Sequence, residues 1–131
     1  MFDSLNVKQV EEYLLSMPET SLYYPFGEDV KVFKVKNKMF ATIALGPESV
    51  FKGASENFWI NLKCDVNEAV MLRDIFPAIL PGYHMHKASW NSIILDGSVP
   101  KGELERMMEN SFKLIVSKMT KKDQQSIQIH F

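Results

Sequence analysis

Pro81-Gly82-Tyr83-His84-Met85-His86-Lys87-Ala88-Ser89-Trp90-Asn91-Ser92-Ile93-Ile94-Leu95-Asp96-Gly97 is the stretch around which the chain is organised. A Pro-Gly turn signal opens it and an Asp-Gly turn signal closes it. Residues 90–95 between them form a β-branched run that reads as a strand. Ahead of that strand stand two histidines, a lysine and a tyrosine, and Trp90 begins it. This is more polar and aromatic chemistry than a core needs, so function is sought here.

Working outward, residues 57–64 alternate cleanly. Phe58, Ile60, Leu62 and Cys64 share one face, and Trp59, Asn61 and Lys63 the other, as in an antiparallel strand buried on one side. Residues 30–35 and 39–45 read as two more strands joined by a tight turn at Asn37-Lys38. Met39, Ala41, Ile43 and Leu45 are expected on one face, and Phe40, Thr42 and Ala44 on the other. Residues 47–56 form a longer polar connection. Asp65 caps a second helix, with Glu68 completing a capping box, and Pro77 ends it. Pro100 opens a third helix whose buried stripe is Leu104, Met107, Met108, Phe112, Ile115 and Met119. Upstream, Asn6 and Gln9 cap a first helix over residues 5–17, stopped by Pro18. Residues 19–29 read as a loop, with the aromatic turn 23–27 folded over the sheet edge. The tail 126–131 alternates with period two and either docks as a short edge strand or frays.

The order helix, three strands, helix, strand or strand pair, helix implies an α+β fold: an antiparallel sheet with helices packed on one face. The other face is left free. One domain is expected over residues 1–122, followed by a tail over 123–131. Apolar residues make up 46% and charged residues 24% of the 131, values at which a chain needs no staples. The single cysteine, Cys64, excludes an internal disulfide framework and suits a reducing compartment. The first residues lack a basic region followed by an apolar run, so no secretory signal is expected. No uncharged apolar run approaches the roughly 20 residues of a bilayer span. A cytoplasmic monomer without membrane contact is expected.

Further pieces accompany the central stretch: Pro25-Phe26-Gly27; Val35 followed by Lys38-Met39-Phe40-Ala41; Asn61-Leu62-Lys63-Cys64; Val99-Pro100 with Glu103-Leu104; and Ser111-Phe112. With the Tyr-His-Met-x-Lys-x-x-Trp element at residues 83–90, they resemble the MmcQ/YjbR family over nearly the whole chain. His86 and Phe112 depart from its pattern. The resemblance implies a frataxin (CyaY)-like two-layer sandwich. It also implies DNA binding, on the family's "double-wing" description.

The residues themselves leave alternatives open. If Lys34, Lys36, Trp59, Lys63 and Trp90 face the open side of the sheet, cations and aromatic rings interleave there, a surface that can neutralise phosphates and contact bases. The same lysines also suit a solvated face that protects an edge. The candidate nucleic-acid contacts are Lys34, Lys36, Lys38, Lys63 and Lys87 for phosphate, with Trp59, Tyr83, His84, His86 and Trp90 for bases or groove shape. The net charge of −1 supplies no global pull toward DNA, so local clustering has to. His84 and His86 point to one side on an extended segment, but no third metal ligand stands at motif spacing. Neither metal nor cofactor is expected. A phosphate-cradling glycine loop, a zincin helix and a nucleophile elbow are all missing. A Cys64–His84 pair has no supporting spacing, Ser111 is expected to bond back within its helix, and no enzyme activity is expected. The alternative to DNA is a small ligand or protein partner in an aromatic cleft between Tyr83 and Trp90, bordered by Tyr23, Tyr24, Phe26 and Met85. Those aromatics could equally form a second small core.

Overall fold

The structure is a computed structural model that describes residues 4–46, 57–83 and 85–128. The expected 47–56 connection, His84 and residues 129–131 lie outside the described residues. The elements run α1 (Val7–Leu15), β1 (Thr20–Tyr23), β2 (Lys31–Val35), β3 (Lys38–Leu45), β4 (Phe58–Lys63), α2 (Val66–Ile75), β5 (Ile79–Pro81), β6 (Trp90–Ile94), α3 (Lys101–Ser117) and α4 (Lys121–Gln128). The six strands form one sheet in the order β1-β2-β3-β4-β6-β5, with every neighbouring pair antiparallel. The fold is α+β, as the element order implies. No helix among the described residues is long and apolar enough to cross a membrane.

Alternation fixes which side chains meet the helices. Phe33, Ala41, Ile43, Ile60, Leu62 and Ile93 are opposed across the ladders and are buried in one core with Val10 and Leu14 of α1 and Met108 and Phe112 of α3. Asn6 and Gln9 cap α1 reciprocally, at 2.9 and 3.0 Å. Helix α2 joins the layer through Glu68, which pairs with Arg106 of α3. Glu68 therefore does not close the expected box, and Asp65 alone caps α2, accepting from the backbone of Asn67 and Glu68.

Several expectations are corrected. The hairpin turn is Lys36-Asn37, one residue earlier than expected, with φ of 47° and 65°. Two consecutive left-handed residues make the turn whose twist matches a two-residue hairpin. Phe40 does not lie with Thr42: the register shifts so that Phe33 opposes Ala41 while Lys34 opposes Met39. The extra residue is a β-bulge, and it leaves Phe40 fully buried, edge-on to Phe112 at 5.3 Å. Thr20–Tyr23 is a strand rather than loop, because pairing with β2 gives a short β-prone segment its partner. Ile79–Pro81 adds an edge strand beside β6.

The tail is not an edge strand over its described part. Thr120 caps α4 by accepting from the Asp123 backbone at 3.2 Å, and Ile127 is fully buried. Lys121, Lys122, Gln124 and Gln125 are sound helix formers and Asp123 lies in the first turn, where a carboxylate is favoured, so the period-two pattern of residues 126–131 does not decide the segment. The aromatic turn is likewise not folded over the sheet: Phe26 is 73% exposed, and Tyr23 and Tyr24 nearly half exposed.

Candidate functional site

The 82–90 segment is built as a closed loop. The Gly82 amide donates to Trp90 O at 2.8 Å, and a Cβ at Gly82 would stand 2.8 Å from the Trp90 Cβ, so only glycine fits this approach. Lys87 Nζ donates to Gly82 O at 3.2 Å and Arg73 Nη2 to Lys87 O at 2.7 Å. Arg73 Nε also donates to Asn91 Oδ1 at 2.8 Å, fastening the loop to α2 and β6. The Trp90 amide donates to His86 O at 3.0 Å, and the His86 ring lies 3.1 Å from Ser89 Oγ. Much of the polar chemistry that made this stretch a candidate site is thus engaged in holding its backbone.

Beneath the loop, the sheet face that is helix-free among the described residues carries a polar strip. Asn61 Nδ2 donates to Thr42 Oγ1 at 3.0 Å, Ser92 Oγ donates to Asn61 Oδ1, and the Tyr83 amide donates to Ser92 Oγ at 2.9 Å. Sequence reasoning missed this strip and Arg73. The available signal was Thr42, Asn61 and Ser92 interrupting apolar strands at facing register positions.

Trp59 and Trp90 lie on this face, as expected, but only 5% and 8% exposed. Trp59 meets the Tyr83 ring edge-on at 6.4 Å, and Gly46 lies so close to its indole nitrogen that a Cβ would overlap it. Its N–H is buried with no acceptor among the described residues. Neither ring presents a face on which a base could stack. The expected aromatic cleft does not assemble. Trp90 stands opposite Lys63 at one end of the strands, whereas residues 24–30 connect β1 to β2 at the other end.

The lysines do converge. Lys34 on β2 and Lys63 on β4 lie on the helix-free face at the same end of the sheet. Their ammonium groups stand over aromatic rings, Lys34 at 5.1 Å from the Tyr23 centroid and Lys63 at 5.6 Å from that of Trp90. Lys36 and Lys38 flank the hairpin tip at that end. Lys36 is shared with Glu19 Oε1 and Ser126 Oγ, each at 3.1 Å, while Lys38 is exposed. Lys118, just past the end of α3, closes the group. Burial first, and then the Lys118 charge, pull the Lys63 ammonium below the usual lysine range. The α3–α4 corner and the hairpin tip enclose a cleft of about 440 Å³ lined by Lys36, Lys38, Met39, Ile115, Lys118, Met119, Thr120 and Asp123.

Nucleophile and metal chemistry find little here. Burial, then Glu68 and Asp65, push the Cys64 thiol up to about 11, against the opposing pull of Arg106 and Arg73. A neutral thiol is a poor nucleophile. Among the described residues no three His, Cys, Asp or Glu side chains gather as a metal site. The His84–His86 pair and the Cys64–His84 pair cannot be placed, since His84 lies outside the described residues.

The chain is 32% identical over 113 residues to YbdF of Escherichia coli O157:H7, an uncharacterized protein, covering 86% of each chain. It is 21% identical over 113 residues to the uncharacterized YjbR of E. coli K12, covering 86% of this chain and 89% of that one. Among solved structures, Deinococcus radiodurans DR2400 superposes with a TM-score of 0.80 at 27% identity, covering 94% of this chain and 88% of that one. A Pseudomonas syringae protein superposes at 0.75 and 28% identity, covering 84% and 98%. The YjbR family model matches residues 15–114, most of the described fold. The chain belongs to the YjbR family.

Proposed function

We propose that this protein is a non-enzymatic nucleic-acid-binding protein, with DNA as the expected partner, that holds the phosphate backbone at the lysine-bearing end of its sheet. One observation carries the reading. Lysines from separate parts of the chain, Lys34, Lys36 and Lys38, then Lys63, then Lys118, meet at one end of a molecule whose net charge is −1. The Lys34 and Lys63 backbones are two strand spacings apart, about 10 Å, near enough for both flexible side chains to reach one phosphate backbone. Acidic residues are present too: Glu19 holds Lys36, Asp123 lies in the cleft, and Asp65 stands two residues after Lys63.

Phosphate contact is favoured over base readout. The two arginines, the usual bidentate readers of guanine, are both engaged elsewhere. Arg73 is bonded to Asn91 and Lys87, and Arg106 to Glu68 and Glu103. The buried tryptophans point the same way. The protein should therefore bind with little sequence preference.

Fluorescence anisotropy with a labelled DNA of about 20 base pairs tests the reading. Log affinity should fall with log salt at a slope near −0.9 per phosphate engaged, about −3 to −4 for Lys34, Lys38, Lys63 and Lys118, with Lys36 held by Glu19. Lys63→Gln and Lys118→Gln should each flatten that slope by about 1. No binding at about 25 mM salt would remove the reading.

A further inference from the structure

The cleft at the α3–α4 corner differs from the rest of the lysine surface in having an apolar floor. Met39 of β3, Ile115 of α3 and Met119 line it below a rim formed by Lys38 and Lys118. Ile115 and Met119 are partly buried against the core, so the floor is anchored. The unbranched methionines can fit their thioethers to more than one shape. The volume, about 440 Å³, falls within the range of small-molecule sites.

Its electrostatics favour an anion. Lys38 and Lys118 have no side-chain partner among the described residues, whereas Lys36 is taken by Glu19 and Ser126. Asp123 is the one carboxylate among the described lining residues. The carbonyls at the end of α3 would repel an anion, but Gln124 Nε2 donates to the last of them, Ser117 O, at 3.3 Å and to Met119 O just beyond the helix at 2.9 Å. An occupant therefore needs a flat or compact apolar group with negative charge on either side of it.

Resting on the nucleic-acid reading above, we infer that this cleft receives one unpaired base of a single strand, with the flanking phosphates held by Lys38 and Lys118. A base within a duplex is stacked on both faces and paired at its edge, so it cannot enter. An unpaired base can leave its stack at much smaller cost. Single strands should therefore bind more tightly than duplexes, although a duplex carries more charge per unit length.

The test compares labelled oligothymidine and oligouridine of about 15 nucleotides, a duplex of the same length, and heparin, all at one salt concentration. Either single strand should bind at least about tenfold more tightly than the duplex. Met39→Ala and Met119→Ala, separately and together, should erase most of that preference while leaving duplex binding within about twofold. Lys38→Gln with Lys118→Gln provides a second pair that leaves the floor intact and should weaken strand and duplex alike. Equal affinity for strand and duplex, or alanine variants that keep the preference while folded by circular dichroism, would overturn the cleft assignment but leave phosphate binding standing. Heparin binding without any nucleic-acid binding, or no binding to any probe, would overturn both.

Discussion

Ser111→Ala isolates the point at which the fold controls the lysine surface. The β3–β4 ladder pairs Ala41 with Leu62 and Thr42 with Asn61, so the next facing pair is Phe40 and Lys63. The Gly46 amide bonds Asn57 O at the far end of the same ladder. By the two-residue alternation of such bonds, the Lys63 amide would be expected to reach Phe40 O directly. Instead, the Ser111 hydroxyl stands between them, accepting from Lys63 N at 2.9 Å and donating to Phe40 O at 2.6 Å. Its bond therefore runs across to the sheet rather than back within its own helix. Ser111 is fully buried, so no water replaces the hydroxyl when it is removed. Leaving a buried donor and a buried acceptor unpaired costs about 1–3 kcal/mol each. Partial closure of the strands should hold the total to about 2–4 kcal/mol. At a few degrees per kcal/mol for a chain of this size, the melting temperature should fall by about 6–14 °C. Urea titration gives the free energy, and Ser111→Cys, similar in shape with a weaker donor, should fall between serine and alanine. A loss below about 0.5 kcal/mol would show that the strands close on themselves and that the hydroxyl is not a bridge.

Further tests address the loop and the buried thiol. Gly82→Ala sets a methyl group against Trp90 and should cost about 1–3 kcal/mol, with a shift in tryptophan emission; an unchanged spectrum and midpoint would show that the close approach is not tight. Arg73→Ala removes the bonds to Lys87 O and Asn91 Oδ1. Hydrogen exchange in residues 82–90 should then quicken more than in β3, whereas a uniform change would count against a local clamp. The Cys64 thiol is raised from about 9 to about 11 in the fold, so the native state holds its proton more firmly than the unfolded chain does. By linkage, its contribution to stability is fully present below pH 9 and is lost as pH rises toward 11. Cys64→Ala should flatten that part of the urea-midpoint profile, and a profile identical to that of the parent protein would contradict the assignment.

The elements were largely legible in the sequence because each reports on local chemistry. The Asn6–Gln9 box, the Asp65 cap, the alternation across Phe58–Lys63 and the long stripe of Lys101–Ser117 depend on neighbours a few residues away. The antiparallel sheet with one helical layer follows from their order. Thr20–Tyr23 was not legible as a strand, and Ile79–Pro81 only as the open second member of a strand pair, since a short edge segment becomes a strand only by pairing with its partner. The bulge at Phe40 was hidden for the same reason: a strict two-residue period carries no mark of an inserted residue.

For the candidate site the division is sharper. Sequence supplied the lysines and the residue types of the 81–97 stretch. Only the tertiary structure decided that Lys63 and Lys118 lie close enough to feel each other, that Trp59 and Trp90 are buried, and that Lys87 and Arg73 are bonded within the loop. The physical reason is that a side chain's charge and shape belong to its residue, whereas its burial and its neighbours belong to the packed whole.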